Sequence, residues 1–129
     1  MRTATPHQNI HPGFIGAYFL HEGDLDFKDD NPDLLAIREA SRKVPVIVSI
    51  YLERPAILTN MQPLTAALIG NFGASDQALL NVITGKARPQ GRLPFELPSS
   101  MEAVRQQKED VPHDSANPLF RYGFGLTYR

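Results

Sequence analysis

Apolar positions along the chain switch between a helical period and short continuous runs. Leu34, Ile37 and Ser41 recur on one helical face, with Ala40 and Val44 beside it and Arg38, Glu39 and Arg42 left to solvent. Asn31 offers an N-cap, Pro32 suits the first helical position and Asp33 complements the positive end of the dipole, so the spacing predicts a helix over 32–43. VPVIVSI (Val44 to Ile50) follows as a nearly unbroken β-branched run. That is the pattern of a strand covered on both faces, and it points to a parallel sheet. A second apolar run, Thr65 to Gly73, predicts another buried strand, although its first half also suits a helix. Ser75 and Asp76 then open a helix through QALLNVIT, with Leu79, Val82 and Ile83 at helical spacing and Gly85 as its stop.

Between and beyond these elements the periods are weaker. Residues 1–15 carry two prolines with His7 and His11 and read as a loop. In GAYFLHEGDLDF (Gly16 to Phe27) the final Leu25, Asp26 and Phe27 alternate as a short exposed strand, and His21 to Asp24 reads as a turn. Lys86 to Arg92 is a loop, and Leu93 to Leu97 predicts a short strand whose Pro94 places it at a sheet edge or a strand start. Residues 99–117 are polar, with a short helix at Met101 to Gln107. No repeat of 20 to 50 residues is visible. The succession predicts an α/β fold: an open, mostly parallel sheet flanked by helices, a partial α/β sandwich, with irregular N- and C-terminal segments.

Composition narrows the classes. At 129 residues, 42% hydrophobic and 21% charged, the chain has the size and make-up of one globular domain. Thirteen basic against fourteen acidic residues give a net charge of −1 without a block of either sign, which argues against nucleic acid as a partner. Without cysteine there is neither a disulfide framework nor a thiolate metal site. No apolar stretch matches a signal-peptide core or approaches the length of a membrane span, which tilts the expected localisation toward the cytoplasm and argues against a membrane partner.

Several familiar chemistries lack their motifs. The GNFGASD loop (Gly70 to Asp76) lies between a strand and a helix, where open α/β sheets bind ligands. It has neither GxGxxG nor a Lys-Ser/Thr pair, so it is not a phosphate loop, and Ser75 and Asp76 are explained as caps. The chain has no Gly-x-Ser-x-Gly elbow. His7, His11 and His21 could be grouped as metal ligands, but the first two flank an irregular Pro-Gly loop, so no metal is expected.

The last third carries the specific signal: GRLPFELP (Gly91 to Pro98), followed about twenty residues later by PLFRYGFGLTY (Pro118 to Tyr128). With VPVIVSI, the Arg54-Pro55 step and NFGASDQALLNVITG, this ordered set resembles the C-terminal α/β sandwich domain of glycoside hydrolase family 3, over Asp24 to Tyr128. The resemblance implies a retaining, β-glucosidase- or β-xylosidase-like enzyme that cleaves O-glycosidic bonds between this domain and a larger barrel domain. No part of the chain resembles that barrel or its Asp nucleophile. Residues 1–129 are then expected to form a single, N-terminally truncated family 3 domain, inactive alone. Its expected partners are an oligosaccharide or an aryl or alkyl glycoside and the barrel domain or subunit.

By the same resemblance Glu22 is the candidate acid/base, standing just before the Gly23-Asp24 pair, and His21 and Asp24 are candidate sugar contacts. The plain alternative for all three is a solvated turn. No cofactor is expected, because hydrolysis by two carboxyl groups needs none. The aromatics of the closing segment are expected to pack at the domain edge, and Arg54 and Arg92 to pair with carboxylates, cap carbonyls or orient substrate. A noncatalytic carbohydrate-binding or partner module, docked on a separate barrel subunit, is the other reading. An unrelated flavodoxin-like binding domain is disfavoured by the missing phosphate loop.

Overall fold

The computed structural model describes residues 26–128. Its first helix, α1, spans Pro32–Ser41. Asn31 Oδ1 accepts hydrogen bonds from the backbone N–H of Asp33 and Leu34 at 2.9 and 3.2 Å, so two donors at the helix start are satisfied by one side chain. The helix stops two residues short of the predicted end, with Arg42 as its C-cap. The N–H groups of Lys43 and Val44 both still reach back to the Ala40 carbonyl, at 2.9 and 3.0 Å, and Pro45 ends this tapering turn. Leu34 and Ile37, on the predicted inner face, are buried.

Strands β1 (Ile47–Tyr51) and β2 (Ala67–Asn71) pair in parallel, with Ile47 opposite Ala67 and Tyr51 opposite Asn71. A 3₁₀ turn at Gln62–Leu64 lies in the crossover between them. The α/β class and parallel pairing are as predicted; the burial is not. Ile47, Ser49 and Tyr51 are exposed while Val48 and Ile50 are half-buried, so β1 alternates as a one-faced strand. Val44 lies before the strand and is also exposed. The β-branched run therefore signalled strand correctly but overstated its covering, because among the described residues the core packs against the Val48 and Ile50 face and leaves the Ile47 and Tyr51 face exposed.

Helix α2 spans Asp76–Ile83, capped by Ser75 Oγ, which accepts from the Ala78 N–H at 3.3 Å. Gly85 follows at φ 75°, in the left-handed region where glycine ends a helix without strain. Leu79, Val82 and Ile83 are only half-buried and Leu80 is exposed. Helix α3 is the short Met101–Arg105, ending before the predicted Gln107 and capped by Ser100 Oγ.

The predicted strand at Leu93 to Leu97 is replaced by a two-point ribbon with the closing segment. The Leu93 N–H donates to the Phe124 carbonyl at 2.8 Å and the Gly123 N–H to the Leu93 carbonyl at 2.9 Å. Four residues on, Leu97 and Phe120 form an antiparallel bridge. Pro94 supplies no N–H and the backbone bends at 94–95, which interrupts the ladder. The expected strand at Leu25 to Phe27 reduces, over its described part, to a bridge between Asp26 and Ile57. Phe27 is buried rather than exposed.

The core gathers Phe27, Leu34, Ile37, Leu52, Ala56, Leu58, Met61 and Leu97. It lies where α1, the segment after β1 and the Leu97 bridge meet, so the closing signature is tied directly into the core.

Candidate functional site

The residues after β1 and β2 gather at the carboxyl ends of the strands, the usual ligand side of an open α/β sheet. Leu52 N–H donates to the Asn71 carbonyl at 2.9 Å and continues the pairing just past the strands. Asn71 Oδ1 accepts from the N–H groups of Gly73 and Ala74 at 2.9 and 2.8 Å, a side-chain turn that Gly73 completes at φ 99°. The turn delivers the chain to Ser75, so the GNFGASD loop is accounted for by turn and cap chemistry.

Beside this loop lies a cleft of about 530 Å³ between β2, α2 and the closing ribbon. Leu79 and Val82 form one wall, Leu93 and Phe124 face them, and Asn71, Arg88 and Arg92 supply polar atoms. The Tyr128 hydroxyl donates to the Val82 carbonyl and ties the end of the chain to the last turn of α2. No aspartate or glutamate is among the cleft's described lining residues, so those residues present no acid/base pair. The cleft can bury an apolar group, with arginine and amide donors at its margin.

Glu22, His21 and Asp24, the residues predicted to act on a sugar, lie outside the described residues, as do His7 and His11. Arg54 stands exposed in the segment that follows β1. Arg92 pairs with no carboxylate among the described residues; its stem packs close over Gly125. The closing aromatics divide. Phe120 is half-buried and its ring lies 4.9 Å from that of Phe124, whereas Phe124, Tyr122 and Tyr128 remain exposed, so edge packing describes Phe120 best. Among the described residues no three His, Cys, Asp or Glu side chains converge as metal ligands, and no helix is long and apolar enough to cross a membrane.

Sequence reasoning missed Glu96. It is buried inside GRLPFELP, and its Oε1 accepts from the Ser115 N–H at 2.5 Å. Strand alternation would have turned it to solvent, opposite Leu93, Phe95 and Leu97. The bend at 94–95 and the polar segment after α3 bury it instead, and neither is signalled by local periodicity. Elsewhere charge is superficial: Lys43 bonds to the Glu39 carboxylate at 3.0 Å and holds it below the usual glutamate range. Burial pushes the Asp33 carboxyl upward.

A sequence profile of the Glycosyl hydrolase family 3 C-terminal domain matches residues 20–128. The chain belongs to this family. The match takes in both halves of the closing ribbon and also the positions of His21, Glu22 and Asp24. Over 128 residues the family 3 chain is 52% identical to a "Periplasmic beta-glucosidase/beta-xylosidase" of Dickeya chrysanthemi, covering 99% of this chain and 20% of that protein. It is 46% identical to "Beta-glucosidase C" of Emericella nidulans over 109 residues, 84% of this chain and 17% of that one. "Probable beta-glucosidase C" of Aspergillus oryzae is 42% identical over the same coverage. The chain thus spans about a fifth of the length of the curated relatives it matches.

Proposed function

We propose that the chain serves as the sugar-site-closing domain of a retaining β-glucosidase- or β-xylosidase-like glycoside hydrolase. The observation that carries this reading is its 52% identity, along 99% of its length, to a protein named for both activities. Residues 1–129 act in it as one domain, and a barrel domain or subunit completes the site. Glu22 is the acid/base, with His21 and Asp24 as contacts to sugar hydroxyls.

In a retaining reaction two carboxyl groups about 5 Å apart flank the glycosidic bond. The barrel's carboxylate attacks the anomeric carbon while Glu22 gives its proton to the leaving oxygen; Glu22 then takes a proton from the water that releases the sugar. A Glu poised for the first step needs its pKa raised by burial or a neighbouring carboxylate, which closure against the barrel would supply. The chemistry needs no metal or organic cofactor.

Replacing the matching fifth of the Dickeya protein by this chain tests the reading. Glu22→Gln in that chimera is expected to lower turnover of poor-leaving-group alkyl glycosides by about 10²–10⁴-fold. Dinitrophenyl glycosides, which leave without a proton, should be affected far less at the glycosylation step. Equal activity of the Glu and Gln chimeras on alkyl glycosides would remove Glu22 from the role. The chain alone is expected to turn over neither substrate. That the cleft's described lining holds no aspartate or glutamate favours a second reading, a noncatalytic carbohydrate-binding or partner module docked on a separate barrel subunit. That reading predicts sugar binding and an active chimera indifferent to Glu22→Gln.

A further inference from the structure

The polar segment between α3 and the closing ribbon is irregular yet specifically anchored. Over residues 107–117 the internal ties are Lys108 N–H to Asp114 Oδ2 at 2.9 Å and Val111 N–H to the Lys108 carbonyl at 3.3 Å. Beyond its continuity with α3, the described hydrogen bond from the segment to the rest of the molecule is Ser115 N–H to Glu96 Oε1, at 2.5 Å. One ring contact accompanies it, His113 against Tyr122 at 4.3 Å.

The closed arrangement also carries opposing costs. His113 and Asn117 sit at φ 59° and 49°, in the left-handed region that L side chains rarely adopt. Among the described residues the Ser115 hydroxyl is buried without a hydrogen-bond partner, an unfavourable state for a polar atom. Glu96 itself is a buried carboxylate with no cation paired to it among the described residues. One hydrogen-bonded anchor set against positive-φ backbone and an orphan hydroxyl is the composition of a latch.

We propose that residues 107–117 form a flap, latched by the Glu96 carboxylate on the Ser115 amide, that opens as a unit while α1 and the β1–β2 pair stay closed. Opening relaxes His113 and Asn117, hydrates the Ser115 hydroxyl and uncovers both the Glu96 carboxylate and the face of Tyr122. The device rests on none of the residues assigned to sugar chemistry.

Hydrogen exchange read by mass spectrometry on the full chain tests the latch. Glu96→Ala is expected to speed amide exchange in 107–117 by about tenfold or more, with α1, β1 and β2 unchanged. Ser115→Ala keeps the amide donor and deletes the orphan hydroxyl, so it is expected to slow the same amides several-fold. A purely structural role predicts the opposite pattern: faster exchange throughout the chain for Glu96→Ala and no slowing for Ser115→Ala. If Glu96→Ala does not fold, Ser115→Ala alone decides, since unchanged or faster exchange of 107–117 in that variant overturns the proposal.

Discussion

Gly125 lies so close to Gly91 that a Cβ on it would stand 2.6 Å from the Gly91 carbonyl oxygen and 2.8 Å from Arg92 Cδ. The obstacle is backbone, which cannot rotate away as a flexible side chain would, and it joins the two halves of the closing ribbon. Gly125→Ala should therefore part the ribbon near Leu93 and cost about 1–3 kcal/mol, the usual penalty for overpacking. Gly91→Ala is the control: a Cβ there meets nothing within 4 Å among the described residues, and its effect should be close to neutral. Urea midpoints of the two variants and the parent check this. Equal midpoints for Gly125→Ala and the parent would mean that the ribbon is not held at this contact.

Much of this fold was legible because local chemistry and tertiary role agree. Asn31 and Ser75 cap the helices they were expected to cap, and Leu34 and Ile37 bury the face their spacing indicated. Reading failed where burial depends on distant chain. Ile47 and Tyr51 look like core in a β-branched run and are exposed, while Glu96 looks like surface and is buried under a segment some twenty residues later. Periodicity reports what a residue prefers beside its neighbours; it carries no information about a flap that folds back from elsewhere. The family was readable for a different reason. GRLPFELP and PLFRYGFGLTY meet in one close ribbon, in which Gly123, at φ 74°, and Gly125, against the Gly91 carbonyl, each answer a backbone demand. The candidate sugar residues rested on resemblance alone, since neither spacing nor charge around Glu22 separates an acid/base from a solvated turn.

The same contrast between preference and burial predicts how two leucines respond to truncation. Leu34 is fully enclosed in the core and Leu80, on α2, is half exposed. Leu34→Ala removes buried methyl groups and leaves a cavity, so it should cost about 2–5 kcal/mol. That is a large part of the 5–15 kcal/mol typical of a domain. Leu80→Ala should stay within about 0.5 kcal/mol. Denaturant unfolding of both variants distinguishes them. A comparable loss at Leu80 would show that α2 is buried against something in solution, and would move the apolar cleft from the surface into an interface.

Asp33 gives a pH signature with a definite sign. It sits in the first turn of α1, where the dipole favours a carboxylate, yet burial prevails and raises its pKa above the ordinary 3.8. Between 3.8 and the raised value, the folded chain holds a proton that the unfolded chain has released. Stability contributed at this site is therefore whole below 3.8 and declines as pH rises through the folded pKa. Asp33→Asn abolishes that titration and leaves every other carboxyl in place. The stability of the Asn variant relative to the parent should accordingly increase from about pH 3.5 upward, then level off once Asp33 is ionised in both states. Urea midpoints of the two proteins at several pH values from 3.5 to 7 measure the difference, in which the remaining groups cancel. A difference that shrinks with rising pH would show that the helix dipole rather than burial governs Asp33, and a flat one would show that the two effects cancel.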